Sequence, residues 1–157
     1  MRLSRMFFYT LRENTKDEES VSGNLLTRAG MIKRTSSGVY MYLPLGYKVL
    51  KNIEKIIREE MEDASCAELM MPTLINEELF SSSLDKEDFG KNIFSLKDRF
   101  DKNYVLAPSH EELFTLAASM KIKSYKDMPF SIYQIQNKHR DEERSRYGLI
   151  RIREFLM

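Results

Sequence analysis

The chain has 157 residues, with Lys plus Arg at 25, Asp plus Glu at 24 and a single cysteine. A chain of this size buries roughly two-thirds of its unfolded surface, enough for one compact domain with a real core. The near balance of charge excludes a global basic field for nucleic acid, so any RNA contact must be local. Cys66 alone excludes an internal disulfide and a multi-cysteine zinc site, and fits a reducing, cytoplasmic setting. No secretory h-region is present, nor an apolar run of about 18 residues that would span a membrane.

In chain order, Asn14 to Ser22 is polar, with Lys16, Asp17, Glu18 and Glu19, and reads as a loop or helix start before a helical piece from Val21 to Ala29 that Gly30 ends. From Gly46 to Asp63, Val49, Leu50, Ile53, Ile56, Ile57 and Met61 recur at helical spacing, with Lys51, Glu54, Lys55, Arg58 and Glu59 elsewhere on the wheel. Cys66 to Met71 reads as a short strand stopped by Pro72, which has no amide proton for a central ladder. Within it Cys66 is expected to be a small buried residue. A metal site from Cys66, His110 and His139 has no supporting spacing.

Ile93 to Lys97 and Tyr104 to Ala107 read as strands joined by the polar turn Asp98 to Asn103. They lead into Ser109, followed three residues later by Glu112, the pattern of a capping box opening a helix to about Met120. Capping accounts for Ser109 and Glu112 but not for Glu111. Phe130 to His139 then alternates. Phe130, Ile132, Gln134, Gln136 and Lys138 share the face that Arg140 continues, and Ser131, Tyr133, Ile135, Asn137 and His139 share the other. The apolar start of this run should be buried and its polar end should border a cleft. His139 points away from Arg140 and is read as a packing residue outside the site.

From Lys138 to Met157 the pattern is that of a β-hairpin turning across Arg144 to Gly148. Arg140 and Glu142 would share a face of one strand, Arg151, Arg153 and Phe155 a face of the other, with Arg140 nearly opposite Arg151. The charges alone leave two readings: a nucleotide-binding set of guanidiniums, carboxylate and ring, or a solvated ribbon of salt bridges. No Gly-rich phosphate loop is present, so phosphate would be held by side chains. His110 and His139 lack a serine or cysteine partner at a recognisable spacing for covalent catalysis. With no repeat or linker the chain reads as one domain, and its end inside a strand at Arg153-Glu-Phe-Leu-Met reads as a truncation.

Arg140-Asp-Glu142, an arginine-bearing loop, then Gly148-Leu-Ile-Arg151-Ile-Arg-Glu-Phe155 closely resembles the second signature motif of class II aminoacyl-tRNA synthetases, in the wording of the bacterial-type prolyl enzymes. Arg28-Ala-Gly-Met-Ile32, Ser37-Gly-Val-Tyr40, Leu43-Pro-Leu-Gly46, Met71-Pro72-Thr, Ser109-His-Glu-Glu112 and Tyr133-Gln-Ile-Gln136 match the same family in order, over essentially the whole chain. The resemblance implies an α+β fold: a class II antiparallel sheet flanked by helices, incomplete at the C-terminal end. Residues 1–157 would be the N-terminal part of the catalytic domain, with motif 1 at about 46–72, the substrate loop at 108–112 and motif 2 at about 130–157. A third motif and an anticodon-binding domain would lie beyond Met157.

The activity implied is ATP-dependent activation of proline and transfer to tRNA(Pro), as part of a larger enzyme and with Mg2+ shielding the triphosphate. Ser109 and Glu111 would hold the proline ammonium group. Arg140 would bridge the proline carboxylate and the α-phosphate, Glu142 would accept from the adenine amino group, Arg151 would meet the outer phosphates and Phe155 would stack on the base. Arg144 and Arg146 would approach the tRNA acceptor end, and Pro72 with part of the 46–63 helix would form a homodimer contact. The family site reads Thr-x-Glu where this chain has Ser109, which keeps the hydroxyl and loses the methyl. It usually has proline where this loop has Ser145. Competing readings are a non-catalytic module that binds RNA or a partner, and a sister class II enzyme for threonine, which would read its substrate through zinc.

Overall fold

Turn residues cut this chain into short elements, which the computed structural model describes over residues 2–16, 18–81 and 90–157; Asp17 falls outside them. The contacts sort into two compact units, Met1–Arg58 with Glu142–Glu154, and Glu59–Asp141 with Phe155–Met157.

In the first unit, α1 (Val21–Arg28) starts at Ser20, whose hydroxyl accepts from the Gly23 amide at 3.0 Å. It stops at Ala29 and Gly30, the glycine at φ +65°. Strands β1 (Ile32–Ser36) and β2 (Val39–Tyr42) form an antiparallel hairpin with Ile32 opposite Tyr42 and an irregularity between Arg34 and Ser36. Gly38 turns it at φ +70°, and a Cβ there would lie 2.1 Å from Ser145 Oγ, so the turn is seated directly under the later loop. Arg153 N donates to Gly38 O at 2.8 Å and completes that seat. Among the described residues of this unit, Ile32, Leu43 and Ile152 are buried apolar side chains.

Helix α2 (Pro44–Asp63) forms as the spacing requires, but most of its apolar positions are left exposed by the described residues. Ile53 is 49% and Ile56 59% exposed, while Glu54 is 4% exposed and paired with Lys51 at 2.8 Å and Arg58 at 3.0 Å.

The second unit is built on β3 (Ala67–Glu68), β4 (Leu74–Asn76), α3 (Glu77–Ser81), β5 (Ser95–Lys97), β6 (Asn103–Leu106), α4 (Glu111–Lys121), β7 (Ile132–Tyr133), β8 (Asn137–His139) and β9 (Glu154–Leu156). The antiparallel three-stranded sheet runs β4-β6-β5. Met71, Ile75, Phe80, Val105, Ala107 and Leu113 form its core, with Leu69, Leu79, Ile93, Phe114 and Ala117 against them. The alternation in β6 is the cause: Val105 points in, and its neighbours Tyr104 and Leu106 are less buried.

Several expectations change. The run from Phe130 to His139 is not one strand: β7 pairs parallel with β3 and β8 pairs with β9. The strand expected from Cys66 to Met71 shrinks to Ala67–Glu68, because Gln136 takes the Met71 amide and carbonyl with its side chain. Cys66 is only half-buried. Its backbone follows Ser65, held at φ +59°, at the exposed end of α2. Ser109 does not cap α4: His110 occupies the cap position and no side chain bonds there, since the helix begins one residue later than the capping-box pattern requires.

Candidate active site

The loop between β6 and α4 places Ser109, His110 and Glu111 within the second unit, and the strand segment 134–140 faces it. Ser109 and His110 are each 1% exposed, and Glu111 opens to solvent. Ser109 Oγ lies near the Glu111 carboxylate, close enough to act on its charge but outside regular hydrogen-bond geometry. Burial alone would raise the Glu111 pKa. The Ser109 hydroxyl, the local amides and the Lys138 cation outweigh it and hold that carboxyl below its ordinary value. An ionised carboxylate and a hydroxyl two residues apart at a helix start suit a cationic ammonium guest.

Behind them lies a polar layer of which the sequence reading made no use. His110 Nε2 donates to Pro72 O at 3.0 Å, and Nδ1 accepts from Gln134 Nε2 at 2.9 Å and from Lys138 Nζ. Lys138 is fully buried. Burial lowers its pKa to about 8, with Arg140 adding to the shift and Glu111 opposing it. The His110 pKa is lowered as well, first by burial and then by Lys138, against the Pro72 carbonyl and Glu111. The signal for Gln134, Gln136 and Lys138 was present in the alternation that put them on the Arg140 face. His110 carried no signal beyond its type.

Arg140 is aimed by two contacts in the same unit. Its Nε donates to Pro108 O at 3.3 Å, and its guanidinium lies 5.1 Å from the centre of the Phe155 ring. The carbonyl that holds it belongs to the residue just before Ser109, so the cation and the Ser109–Glu111 loop share one frame.

Glu142 and Arg151 belong to the first unit, where they bind each other. Arg151 Nε and Nη2 both reach Glu142 Oε2, at 2.8 and 2.7 Å, and Arg153 Nε donates to the Glu142 carbonyl at 2.9 Å. Arg151 also exchanges both backbone hydrogen bonds with Arg146, at 3.0 and 3.2 Å. It therefore sits opposite Arg146 rather than Arg140, because the turn falls at residues 147–150, later than expected, with Tyr147 and Gly148 at φ +62° and +64°. Arg144 and Arg146 are exposed beside a cleft of about 640 Å3 whose wall includes Glu18, Glu19, Arg34, Tyr40 and Glu143. Pro72 is exposed and lends its carbonyl to His110. Among the described residues no group of three or more His, Cys, Asp or Glu side chains gathers to hold a metal ion.

Residues 94–157 match the family described as tRNA synthetase class II core domain (G, H, P, S and T). All 157 residues align with the proline–tRNA ligases of Lactiplantibacillus plantarum, at 48% identity, and of an Arthrobacter species, at 50%. Residues 94–157 belong to the class II tRNA synthetase core-domain family. The chain spans 28% and 26% of the lengths of those two relatives. Among solved structures, the fold is similar to that of Giardia lamblia prolyl-tRNA synthetase in complex with prolyl-adenylate, with a TM-score of 0.77 at 24% identity over 84% of this chain and 28% of that one. The Cryptosporidium parvum prolyl-tRNA synthetase complexed with L-proline and AMP gives 0.72 at 19% identity, over 93% of this chain and 32% of that one. The α+β class II architecture expected from the motifs is therefore present.

Proposed function

We propose that this chain is the proline- and ATP-binding part of a proline–tRNA ligase of the bacterial type. The observation that carries the reading is Arg140 fixed to the Pro108 carbonyl beside the Ser109–Glu111 loop. A guanidinium for a carboxylate and a carboxylate for an ammonium group, on one frame, are what a zwitterionic amino acid requires.

In the first step a proline carboxylate oxygen attacks the α-phosphorus of ATP, and pyrophosphate leaves. In the second a terminal ribose hydroxyl of tRNA attacks the prolyl carbonyl carbon, and AMP leaves. Anion must meet anion in the first step, so the protein contributes position and fixed positive charge. Arg140 bridges the proline carboxylate and the α-phosphate, and Ser109 and Glu111 hold the ammonium group. Glu142 accepts from the adenine amino group, Arg151 meets the outer phosphates, and Phe155 stacks on the base. Because Arg151 rests on Glu142, nucleotide binding would have to loosen that pair. Mg2+ would arrive with the triphosphate. Arg144 and Arg146 approach the acceptor end of tRNA(Pro), and the uncovered apolar side of α2 with Pro72 makes a homodimer contact. No helix among the described residues is long and apolar enough to cross a membrane; a location in the cytoplasm is part of the proposal.

Isothermal titration with a non-hydrolysable prolyl-adenylate analogue tests this. The expected result is binding that Arg140→Ala abolishes and that a threonyl analogue does not reproduce. Binding of tRNA with no binding of the analogue would overturn the reading and leave an RNA-binding module.

A further inference from the structure

Lysine is seldom fully buried without a compensating partner, because its charge is costly away from water. Lys138 is nonetheless fully buried, on the strand segment that ends in Arg140. Its recipient is a neutral ring. His110 spends its Nε2 proton on Pro72 O, and its one remaining acceptor, Nδ1, receives both Gln134 Nε2 and Lys138 Nζ. Two donors on Nδ1 leave no room for a proton there, so the tautomer is dictated by its surroundings. The charged groups facing Lys138 are Glu111, which favours its cation, and Arg140, which opposes it. Those facing His110 are Lys138 and Glu111.

The backbone supports the same arrangement. His139 N donates to Ala107 O at 2.9 Å, so the strand carrying Lys138 is stitched to the residue that leads into Pro108 and Ser109. His110 in turn pins the loop to Pro72. The lysine therefore sits where it can act on the loop through the ring, and by charge on whatever anion Arg140 receives.

We propose that Lys138 is a positioning residue of the amino-acid site: through His110 it fixes the Ser109–Glu111 loop, and its buried cation, two residues before Arg140, helps draw the substrate carboxylate. The second half of this statement rests on the proposed proline site; the Lys138–His110 couple stands without it. A purely structural lysine would serve equally well at any pH, whereas this one loses its charge within an accessible range and takes a binding contribution with it.

The test uses the whole chain, labelled with 15N. In the wild type, the ring nitrogens of His110 should report a neutral ring protonated at Nε2 from neutral pH upward, with an Nδ1 signal that shifts as Lys138 loses its proton near pH 8. This arm needs no variant and no ligand. In Lys138→Met that shift should vanish. Affinity for the prolyl-adenylate analogue should fall about tenfold at pH 7 in Lys138→Met, and the wild type should converge on the variant as pH rises past 9. A His110 signal indifferent to pH in the wild type overturns the couple. Equal affinities of wild type and Lys138→Met at pH 7, with the ring shift present, overturn the role in the site. No analogue binding by the wild type with the ring shift intact would instead count against the proline reading and remove the carboxylate role with it, leaving the couple established.

Discussion

Arg151 rests on one oxygen of Glu142 with two of its nitrogens, at 2.8 and 2.7 Å, on a carboxylate whose side chain is 11% exposed. The guanidinium is 56% exposed, so water screens much of the attraction. A double-mutant cycle with Glu142→Ala and Arg151→Ala in urea unfolding should give a coupling of about 1 kcal/mol, shrinking in 1 M salt. A coupling indistinguishable from zero at low salt would show that the pair adds nothing to stability.

A second pair sets an alkaline limit. Tyr40 OH donates to Glu18 Oε2 at 2.6 Å, and the Tyr40 pKa is pushed up to about 12, first by burial and then by that carboxylate. Its folded pKa exceeds the unfolded one, so its contribution is complete below pH 10 and is lost as pH rises through about 12. For Glu18, burial raises the pKa, and the bonds from Tyr40 and Ser20 outweigh it and lower it. That contribution is present above the unfolded carboxyl pKa and is lost as pH falls through the folded one. Spectrophotometric titration should show a tyrosine step near pH 12 that is absent in Tyr40→Phe. The variant should lose about 1 kcal/mol near neutrality.

The sequence showed most clearly what depends on local pattern. Helix α2, the β5–β6 pair and the Gly30 stop follow from periodicity and turn chemistry. The motif residues could be named because residue types in order identify the family. What stayed hidden depends on tertiary partners. Nothing local shows that Gln136 will bond the backbone of Met71, or that Ser109 will turn inward instead of capping a helix. The face carrying Gln134 and Lys138 was legible; its seating on His110 was not, because that contact joins residues 28 apart.

The Ser109 hydroxyl helps keep Glu111 ionised against its burial. With that support removed, the carboxyl in Ser109→Ala should protonate at a higher pH. Analogue binding that needs the carboxylate should then fail earlier on acidification than in the wild type. Ser109→Thr, which restores the hydroxyl, should keep the wild-type acid limb. Coincident acid limbs for all three proteins would remove the hydroxyl from this role.

Helix α2 leaves Ile53 and Ile56 about half exposed while burying Glu54, an inversion that wastes an apolar face unless something covers it. If the cover is a second copy, sedimentation equilibrium should show a dimer, and Ile56→Asp should give a monomer with little loss of intrinsic stability. A wild-type chain that remains monomeric at high concentration would rule out this face as sufficient for self-association.

Gln136 is buried and serves both polar groups of one residue: its Oε1 accepts from Met71 N at 2.9 Å, and its Nε2 donates to Met71 O. Met71 belongs to the core cluster, so neither backbone group has easy recourse to water. Truncation in Gln136→Ala leaves a donor and an acceptor unmet, and should cost about 2–4 kcal/mol by urea unfolding. Gln136→Glu is the sharper variant. Its carboxylate still accepts from the amide but sets a negative oxygen against the Met71 carbonyl, so its loss should match or exceed that of alanine at pH 7. Acidification that protonates the new side chain restores a donor, and should recover part of that loss in Gln136→Glu but none in Gln136→Ala.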